Sequence, residues 1–162
     1  MKNATWIVMV LCGVQVACAH GSGDLAHDTY PQAQVEVRQR LDDIWAAVAA
    51  KDIARLESYH LYGPKFTAFK EGGLRCDAEA NRQGERQFFA MLSESKVEMR
   101  DLVVNVFGGV AIATFNGDFS GTIGGKPVGV KLESTMIFAK IEGQWRLVHE
   151  HFSPIGAPPH GA

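Results

Sequence analysis

The spacing of hydrophobic positions changes once along the chain, from a helical period in the first half to a strand period in the second. A helix over residues 31–50 is predicted by apolar side chains that recur every three or four positions. Asp52 can cap a short second helix and Asp77 a third, because aspartate accepts hydrogen bonds from the free amides of a first helical turn. A short strand over residues 66–69 lies between those two helices. The apolar stripe of the first helix comprises Val37, Leu41, Ile44, Trp45 and Val48.

From residue 97 onward, apolar residues alternate with polar ones or run together, and glycine-containing turns separate the runs. The connections are too short for the crossover that parallel strands need, so neighbouring strands are expected to be antiparallel. Helices followed by such a meander indicate an α+β fold, with the helices laid against one face of a curled sheet. The four predicted strands cover residues 97–107, 110–119, 128–139 and 145–153.

The N-terminus has the parts of a secretory signal peptide. Lys2 gives a positive start, and the apolar run that follows is shorter than the roughly 20 residues of a membrane-spanning helix. The run ends in the small-x-small site Ala17-Cys18-Ala19. We therefore expect a periplasmic or secreted protein cut after Ala19, which the mass of the exported chain would test. Acylation of Cys18 is the alternative, and it is the only membrane attachment that the sequence suggests.

The rest of the chain is organised as one domain. A signal peptide over residues 1–19 is followed by a polar linker over 20–33, a domain over 34–154, and a Pro- and Gly-rich tail over 155–162 that we expect to be disordered. Cys76 is the only cysteine beyond the signal segment, so no internal disulfide is predicted. The net charge of −2 and the lack of a Lys/Arg run give no sign of nucleic-acid binding. No phosphate loop, dinucleotide fingerprint or nucleophile elbow is present, so no cofactor is predicted.

The last predicted strand carries most of the candidate chemistry. His149 and His151 point the same way in an alternating strand, as a metal site on a strand requires. A metal also needs a third ligand, and the evident candidates, His60 and Glu133, are not tied to the pair by spacing. No metal is therefore predicted, and hydrogen bonding or stacking of the two imidazoles is favoured. Strict alternation places Trp145, Leu147, His149, His151 and Ser153 on one side, and Arg146, Val148, Glu150 and Phe152 on the other.

Glu150 is the unusual residue of this strand, because Val148 and Phe152 flank it on its own face. A carboxylate that faces an apolar cavity has a raised pKa and can act as a general acid or base. An ion pair with Arg146, two residues away on the same face, is the alternative and the favoured interpretation.

The order of elements and two separated stretches resemble the nuclear transport factor 2-like superfamily. The ending Gly-Gln-Trp-Arg-Leu-Val-His-Glu-His-Phe-Ser, residues 143–153, resembles the SnoaL-like branch and its relative, the association domain of calcium/calmodulin-dependent protein kinase II. Glu-Ser-Tyr at 57–59 and Pro-Lys-Phe-Thr-Ala-Phe at 64–69 are similar to that association domain as well. The resemblance covers about residues 34–154 and implies a cone, in which a curled antiparallel sheet wraps around the N-terminal helices.

The resemblance also implies which residues face the inside of the cone. His149 and His151 fall on the side that relatives use for dimer contacts. Phe152 and Met136 stand where the association domain has pocket arginines, so an arginine-lined anion pocket is not expected. The base of the ketosteroid isomerase branch is missing, since residues 62–65 read Tyr-Gly-Pro-Lys. The predicted pocket residues are Tyr59, Arg86, Met136, Arg146, Val148, Glu150 and Phe152.

We therefore expect an exported homodimer that binds a small, largely apolar ligand in its cone. The alternative is an isomerase, dehydratase or hydrolase that uses Glu150 as acid or base and Tyr59 as a hydrogen-bond donor to a developing oxyanion. A third hypothesis is a pure oligomerisation module, whose cone would be sealed by its own side chains.

Overall fold

The computed structural model describes residues 24–70 and 72–156 of the 162-residue chain. The predictions for the signal peptide, Cys18 and residues 157–162 lie outside the described residues and stay predictions. None of the described helices combines the length and the hydropathy that crossing a membrane requires. The elements are α1 (Pro31–Ala49), α2 (Ile53–Tyr59), β1 (Thr67–Lys70), α3 (Ala78–Met91), β2 (Leu92–Phe107), β3 (Val110–Ile123), β4 (Lys126–Ile141) and β5 (Gln144–Pro154).

The helices begin where local sequence favours it. Pro31 stands in the first turn of α1, where its missing amide hydrogen costs nothing. The Asp52 side chain accepts a hydrogen bond from the Arg55 amide at 3.0 Å, and Asp77 caps α3 in the same way through the Ala80 amide at 2.9 Å. Both predicted caps are thus confirmed.

The five strands form one curled, unclosed sheet in the order β1-β5-β4-β3-β2. Strands β2 to β5 make an antiparallel meander, as the short connections predict. Gly124 and Gly125 join β3 to β4 with positive φ angles of 56° and 78°, the backbone of a tight hairpin turn that matches strand twist. Strand β1 pairs in parallel with β5 at the edge, with Thr67 opposite His149. The α+β class is confirmed.

The core lies between α1 and the inner face of the sheet. Leu41 on α1 and Phe138 on β4 are both fully buried, and α1 packs against β2, β3 and β5. Burial on alternate positions of β3 and β4 shows that one face of these strands points inward and the other outward.

Strand β5 contains a bulge that strict alternation does not anticipate. Ile137 pairs with His149, whereas the next residue of β4, Phe138, pairs with Leu147. Val148 is therefore an extra residue on β5 with no partner of its own across the pair. Such a β-bulge bends the strand and shifts the residues beyond it to the opposite face.

The bulge changes which side chains of β5 share a face. Trp145 and Leu147 are buried before it, and Glu150 is buried after it at 3% exposure. The prediction that Trp145 and Leu147 lie on the same side as His149 and His151 is therefore wrong. One inserted residue moves the two halves of the strand out of phase.

Candidate functional site

A cavity of about 390 Å³ lies between α1, α3 and the inner face of the sheet. A mainly apolar cavity with a few polar groups is typical of small-molecule sites. The aromatic side chains in its wall are Trp45, Phe88, Phe89, Phe115, Phe119 and Phe152. The ionisable side chains in its wall are His60, Lys70, Glu85 and Glu150, together called the polar cluster below, with Cys76 beside them.

Four different elements bring the polar cluster together. His60 directly follows α2, and its backbone bridges to β5 at Leu147. Lys70 is the last residue of β1, and Glu85 lies on the buried side of α3. Glu150 is turned inward by the bulge in β5. The parallel pairing of β1 with β5 then places Lys70 beside Glu150.

Opposite charges lie close together in the polar cluster. Lys70 Nζ is 2.7 Å from Glu150 Oε1 and 3.5 Å from Glu85 Oε1. His60 Nε2 is 3.6 Å from Glu85 Oε1 and 3.8 Å from Glu150 Oε2. The His60, Glu85 and Glu150 side chains are 1%, 9% and 4% exposed, whereas that of Lys70 is 34% exposed. Two carboxylates at this depth need such counter-charges, because an unpaired buried charge is strongly destabilising.

Hydrogen bonds from neighbouring residues fix the orientation of the polar cluster. The Tyr62 hydroxyl donates to Glu85 Oε2 at 2.7 Å, and Asn81 Nδ2 lies 3.3 Å from Glu85 Oε1. His60 Nδ1 is 3.0 Å from the Leu56 carbonyl oxygen. A carbonyl only accepts hydrogen bonds, so Nδ1 carries a hydrogen and Nε2 faces the carboxylates. The Tyr62 ring stacks on the His60 ring with centroids 4.7 Å apart.

The pKa values of the cluster favour its charged forms. Burial alone would raise the pKa of Glu150, but the nearby positive charges of Lys70 and His60 outweigh it and lower that pKa. Burial alone would lower the pKa of His60, but Glu150 and then Glu85 raise it. The pKa of Lys70 is raised by the same two carboxylates against the effect of burial. Glu150 is therefore an ionised carboxylate, and the raised pKa expected for a carboxylate that faces only apolar groups is wrong, because Lys70 lies beside it.

The seven predicted pocket residues fall into two groups. Because of the bulge, Arg146 and Val148 do not share the Glu150 face. The Arg146 guanidinium donates to the Ser58 carbonyl, and Glu150 pairs with Lys70, so the favoured prediction of an Arg146–Glu150 ion pair is wrong. Arg86 forms a surface ion pair with Glu57, with 2.8 Å between Arg86 Nε and Glu57 Oε1. The residues that line the cavity are Met136, Glu150 and Phe152, and those that do not are Tyr59, Arg86, Arg146 and Val148. Whether the first three contact a ligand stays a prediction.

Tyr59 is held away from the cavity. Its hydroxyl accepts a hydrogen bond from Arg55 Nε at 2.7 Å, and the Arg40 guanidinium lies 4.5 Å from its ring centroid. The tyrosine that reaches the polar cluster is Tyr62, three residues later. Burial and the nearby Glu85 carboxylate raise the pKa of Tyr62, so its hydroxyl stays a neutral donor.

The histidine pair of β5 lies on the outer face. His149 Nδ1 is 2.8 Å from Thr67 Oγ1, and the Phe69 ring meets both imidazoles edge-on, with centroids 6.1 and 5.8 Å from His149 and His151. Glu133 is exposed. Among residues 24–70 and 72–156, the side chains that could together hold a metal ion are instead His60, Glu85 and Glu150.

Glu85 and Lys70 were not predicted from the sequence as site residues, although the position of Glu85 in its helix carries a signal. Glu85 follows Asn81 by four residues and precedes Phe89 by four, so it lies on the apolar side of α3. A carboxylate at such a position indicates a buried partner. Lys70 ends a short strand two residues before Gly72 and carries no comparable signal.

Residues 37–158 match the family model of the SnoaL-like domain, which spans most of the chain. The chain belongs to the SnoaL-like family. The resemblance seen at residues 57–69 and 143–153 is therefore confirmed. Among curated proteins, none matches this SnoaL-like chain.

Solved structures share the fold of this SnoaL-like protein. A candidate dehydratase of the NTF2-like family from Streptomyces avermitilis is 20% identical, with a TM-score of 0.73 over 80% of this chain and 100% of that one. An NTF2-like protein from Salmonella enterica serovar Typhimurium is 17% identical, with a TM-score of 0.68 over 81% and 96%. A candidate calcium/calmodulin-dependent kinase II association domain from Exiguobacterium sibiricum is 13% identical, with a TM-score of 0.67 over 81% and 98%. At these identities the likeness concerns the fold alone.

The raised pKa of His60 predicts that the melting temperature falls as the pH rises. A group whose pKa is higher in the folded state stabilises fully below its unfolded pKa, about 6.5 for histidine, and this stability is lost as the pH rises through the folded pKa. Calorimetry from about pH 6 to about pH 9 should show the loss in the wild type and a smaller one in His60→Gln.

His149 provides the control for this experiment. Burial and the neighbouring His151 lower the pKa of His149, so its contribution has the opposite sign and is lost as the pH falls. His149→Gln should therefore keep the loss of stability at high pH. An equal loss in wild type and His60→Gln would show that His60 does not carry it.

Proposed function

We propose that this SnoaL-like protein binds a small, largely apolar molecule in the cavity, with one polar group of that molecule directed at the polar cluster. The observation that carries the proposal is a cavity of about 390 Å³ whose wall is mostly aromatic and aliphatic and whose ionisable groups cluster together. Apolar surface provides affinity in such a site, and the few polar groups fix orientation. Export by the predicted signal peptide is part of the same proposal.

Two further polar atoms favour a ligand that is not purely hydrocarbon. Trp45 Nε1 and Ser134 Oγ are buried without a hydrogen-bond partner among the described residues, and both side chains line the cavity. Buried polar groups are normally satisfied by protein, water or ligand. A ligand with a hydrogen-bond acceptor along its body would satisfy the indole N–H.

The cavity can be blocked without disturbing the core. Gly84 of α3 lines the cavity, and a Cβ built on it meets no heavy atom within 4 Å. Gly84→Leu should therefore abolish binding of a neutral apolar fluorophore, N-phenyl-1-naphthylamine, that the wild type binds. Stability should be kept or raised by up to about 1 kcal/mol, since glycine is a poor helix former. Fluorescence titration and urea unfolding measure the two effects.

Gly109→Leu is the matched control, because its added Cβ also meets nothing within 4 Å and the residue does not line the cavity. It should bind the fluorophore as the wild type does. Equal binding by all three proteins would place the fluorophore outside the cavity. No binding by the wild type, together with no co-purifying small molecule in native mass spectrometry, would contradict the proposal.

The second candidate function is proton transfer on the bound molecule, with His60 as acid or base. The Leu56 carbonyl orients the His60 ring through Nδ1, and Glu85 and Glu150 face Nε2 at the cavity wall and stabilise the charged imidazole. Glu150 would then orient and stabilise His60, because it is itself ionised. The Streptomyces avermitilis neighbour is described as a candidate dehydratase, a class that needs such a group.

Proton transfer can be followed on the molecule that co-purifies with the protein. When the co-purifying molecule is incubated in D₂O with the wild-type protein, it should gain deuterium or lose water. Mass spectrometry measures both changes. His60→Gln should slow this at least about a hundredfold, the usual contribution of a general acid or base. A rate that is the same with wild type, variant and no protein would leave ligand binding as the function.

Homodimer formation through the outer face of the sheet is a further part of the proposal. Apolar residues cluster there, and some solved neighbours are association or hub domains by description. A pure oligomerisation module is disfavoured, because the described residues line a cavity that such a role does not need. The outer-face residues include Phe69, Val103, Phe107, Val110, Ile112 and Ile137.

Ile137→Glu tests the dimer, since it places a charge at the middle of this face, opposite Ile112 and His149. Sedimentation should show a dimer for the wild type and a monomer for the variant. Leu74→Glu is the control, because Leu74 is 92% exposed and lies outside the sheet. A monomeric wild type would contradict the proposal.

A further inference from the structure

The polar cluster has the dimensions of a metal site. One ligand atom from each of His60, Glu85 and Glu150 lies within 4.8 Å of the other two. The Nε2 atom is 3.6 and 3.8 Å from the nearest oxygens of Glu85 and Glu150. Two ligands at about 2.1 Å from a tetrahedral Zn²⁺ are roughly 3.4 Å apart. The two His60 distances thus exceed this separation by only a few tenths of an ångström. The two carboxylate oxygens lie within 4.8 Å of each other and would close by up to about 1.4 Å to share one ion.

The His60 nitrogen that faces the two carboxylates lacks a hydrogen-bond partner. His60 Nε2 has no hydrogen bond within the described part of the chain, and both of its nearest oxygens are too far away for one. Glu150 Oε1, by contrast, is paired with the Lys70 ammonium 2.7 Å away, so a metal ion has to displace that ammonium. All of these side chains except Lys70 are at least nine-tenths buried. A cation among the three would satisfy the imidazole and both carboxylates together.

The surrounding hydrogen bonds are those of an oriented ligand set. His60 uses Nδ1 on the Leu56 carbonyl, which leaves Nε2 as the coordinating atom. Glu85 is held by Tyr62 and Asn81. Outer partners of this kind fix the tautomer of a coordinating histidine and the direction of a coordinating carboxylate.

Lys70 already places a positive charge at this position. Its ammonium lies 2.7 Å from Glu150 and 3.5 Å from Glu85, so the two carboxylates are arranged around a cation. The Lys70 side chain is 34% exposed and can turn towards solvent, unlike the three buried side chains. It therefore competes with a metal ion for the carboxylates without filling the place of the imidazole nitrogen.

We propose that His60, Glu85 and Glu150 bind one divalent transition-metal cation, of the Zn²⁺ type, in competition with the Lys70 ammonium. One imidazole nitrogen and two carboxylate oxygens suit Zn²⁺, Mn²⁺ or Fe²⁺, whereas Mg²⁺ and Ca²⁺ prefer oxygen ligands alone. The site differs from the His149 and His151 pair considered from the sequence. It also goes beyond the proposed ligand binding, since it requires no organic molecule.

The test is titration of chelator-treated protein with Zn²⁺ by calorimetry and with Co²⁺ by absorption spectroscopy. One ion per chain is expected, and Co²⁺ should show the intense visible bands of tetrahedral coordination. Lys70→Gln should raise the affinity at least about tenfold, because a positive charge close to the ion is removed. Glu150→Gln in the Lys70→Gln background should lower it at least about tenfold, because one ligand charge is lost.

Matched controls separate this site from other metal contacts. Replacing His149 and His151 with alanine should leave the affinity and the Co²⁺ spectrum unchanged, because this pair lies on the outer face of the sheet. Circular dichroism reports whether each variant is folded. If Glu150→Gln does not fold, Glu85→Gln and His60→Gln are used in its place. The proposal is supported if Lys70→Gln binds the metal ion and the ligand substitutions, made in that background, weaken the binding. This holds even where wild-type binding is too weak to detect.

Two results would overturn the metal proposal. The first is no Zn²⁺ or Co²⁺ binding by either the wild type or folded Lys70→Gln. The second is binding that persists in the ligand variants and disappears when His149 and His151 are replaced. The fluorophore titration with Gly84→Leu is independent of metal, so failure of this proposal and failure of the proposed ligand binding are distinguishable.

Discussion

Two carboxylates buried within a few ångströms of each other, Glu85 and Glu150, impose the constraint on which the interior of this protein depends. At such depth neither charge is tolerated alone, and both must find positive partners and hydrogen-bond donors. Lys70 meets that requirement from the end of β1, and His60 and Tyr62 meet it from the segment that follows α2. The polar cluster therefore ties the region after α2, the end of β1, α3 and β5 to one point, which the apolar core by itself would not specify.

Much of the fold follows from periodicity and caps, while the site does not. The helical stripe around Leu41 and the caps at Asp52 and Asp77 are local features, and the antiparallel meander follows from short connections. The inward face of β5 could not be predicted, because the bulge at Val148 arises from pairing with β4 and not from local pattern.

The candidate site shows the same limit. Glu150 was found from its mid-strand position, but the sign of its pKa shift depends on Lys70, which is 80 positions away in sequence and adjacent only through the parallel pairing of β1 with β5. Long-range pairing of this kind leaves no periodic trace. Glu85 is different, because helical spacing predicts its place on the apolar side of α3. The prediction requires only that a buried carboxylate be allowed at a core-facing position.

Strand β1 has only four residues, pairs with β5 alone among the strands, and ends in Lys70. Terminal residues of short edge strands are the first to open in native-state fluctuations. Each such opening would leave Glu85 and Glu150 with the imidazole as their remaining cation, and for that moment the interior would carry excess negative charge. Fraying at the margin of the sheet would thus give the buried cluster a route for exchanging protons with the surrounding water.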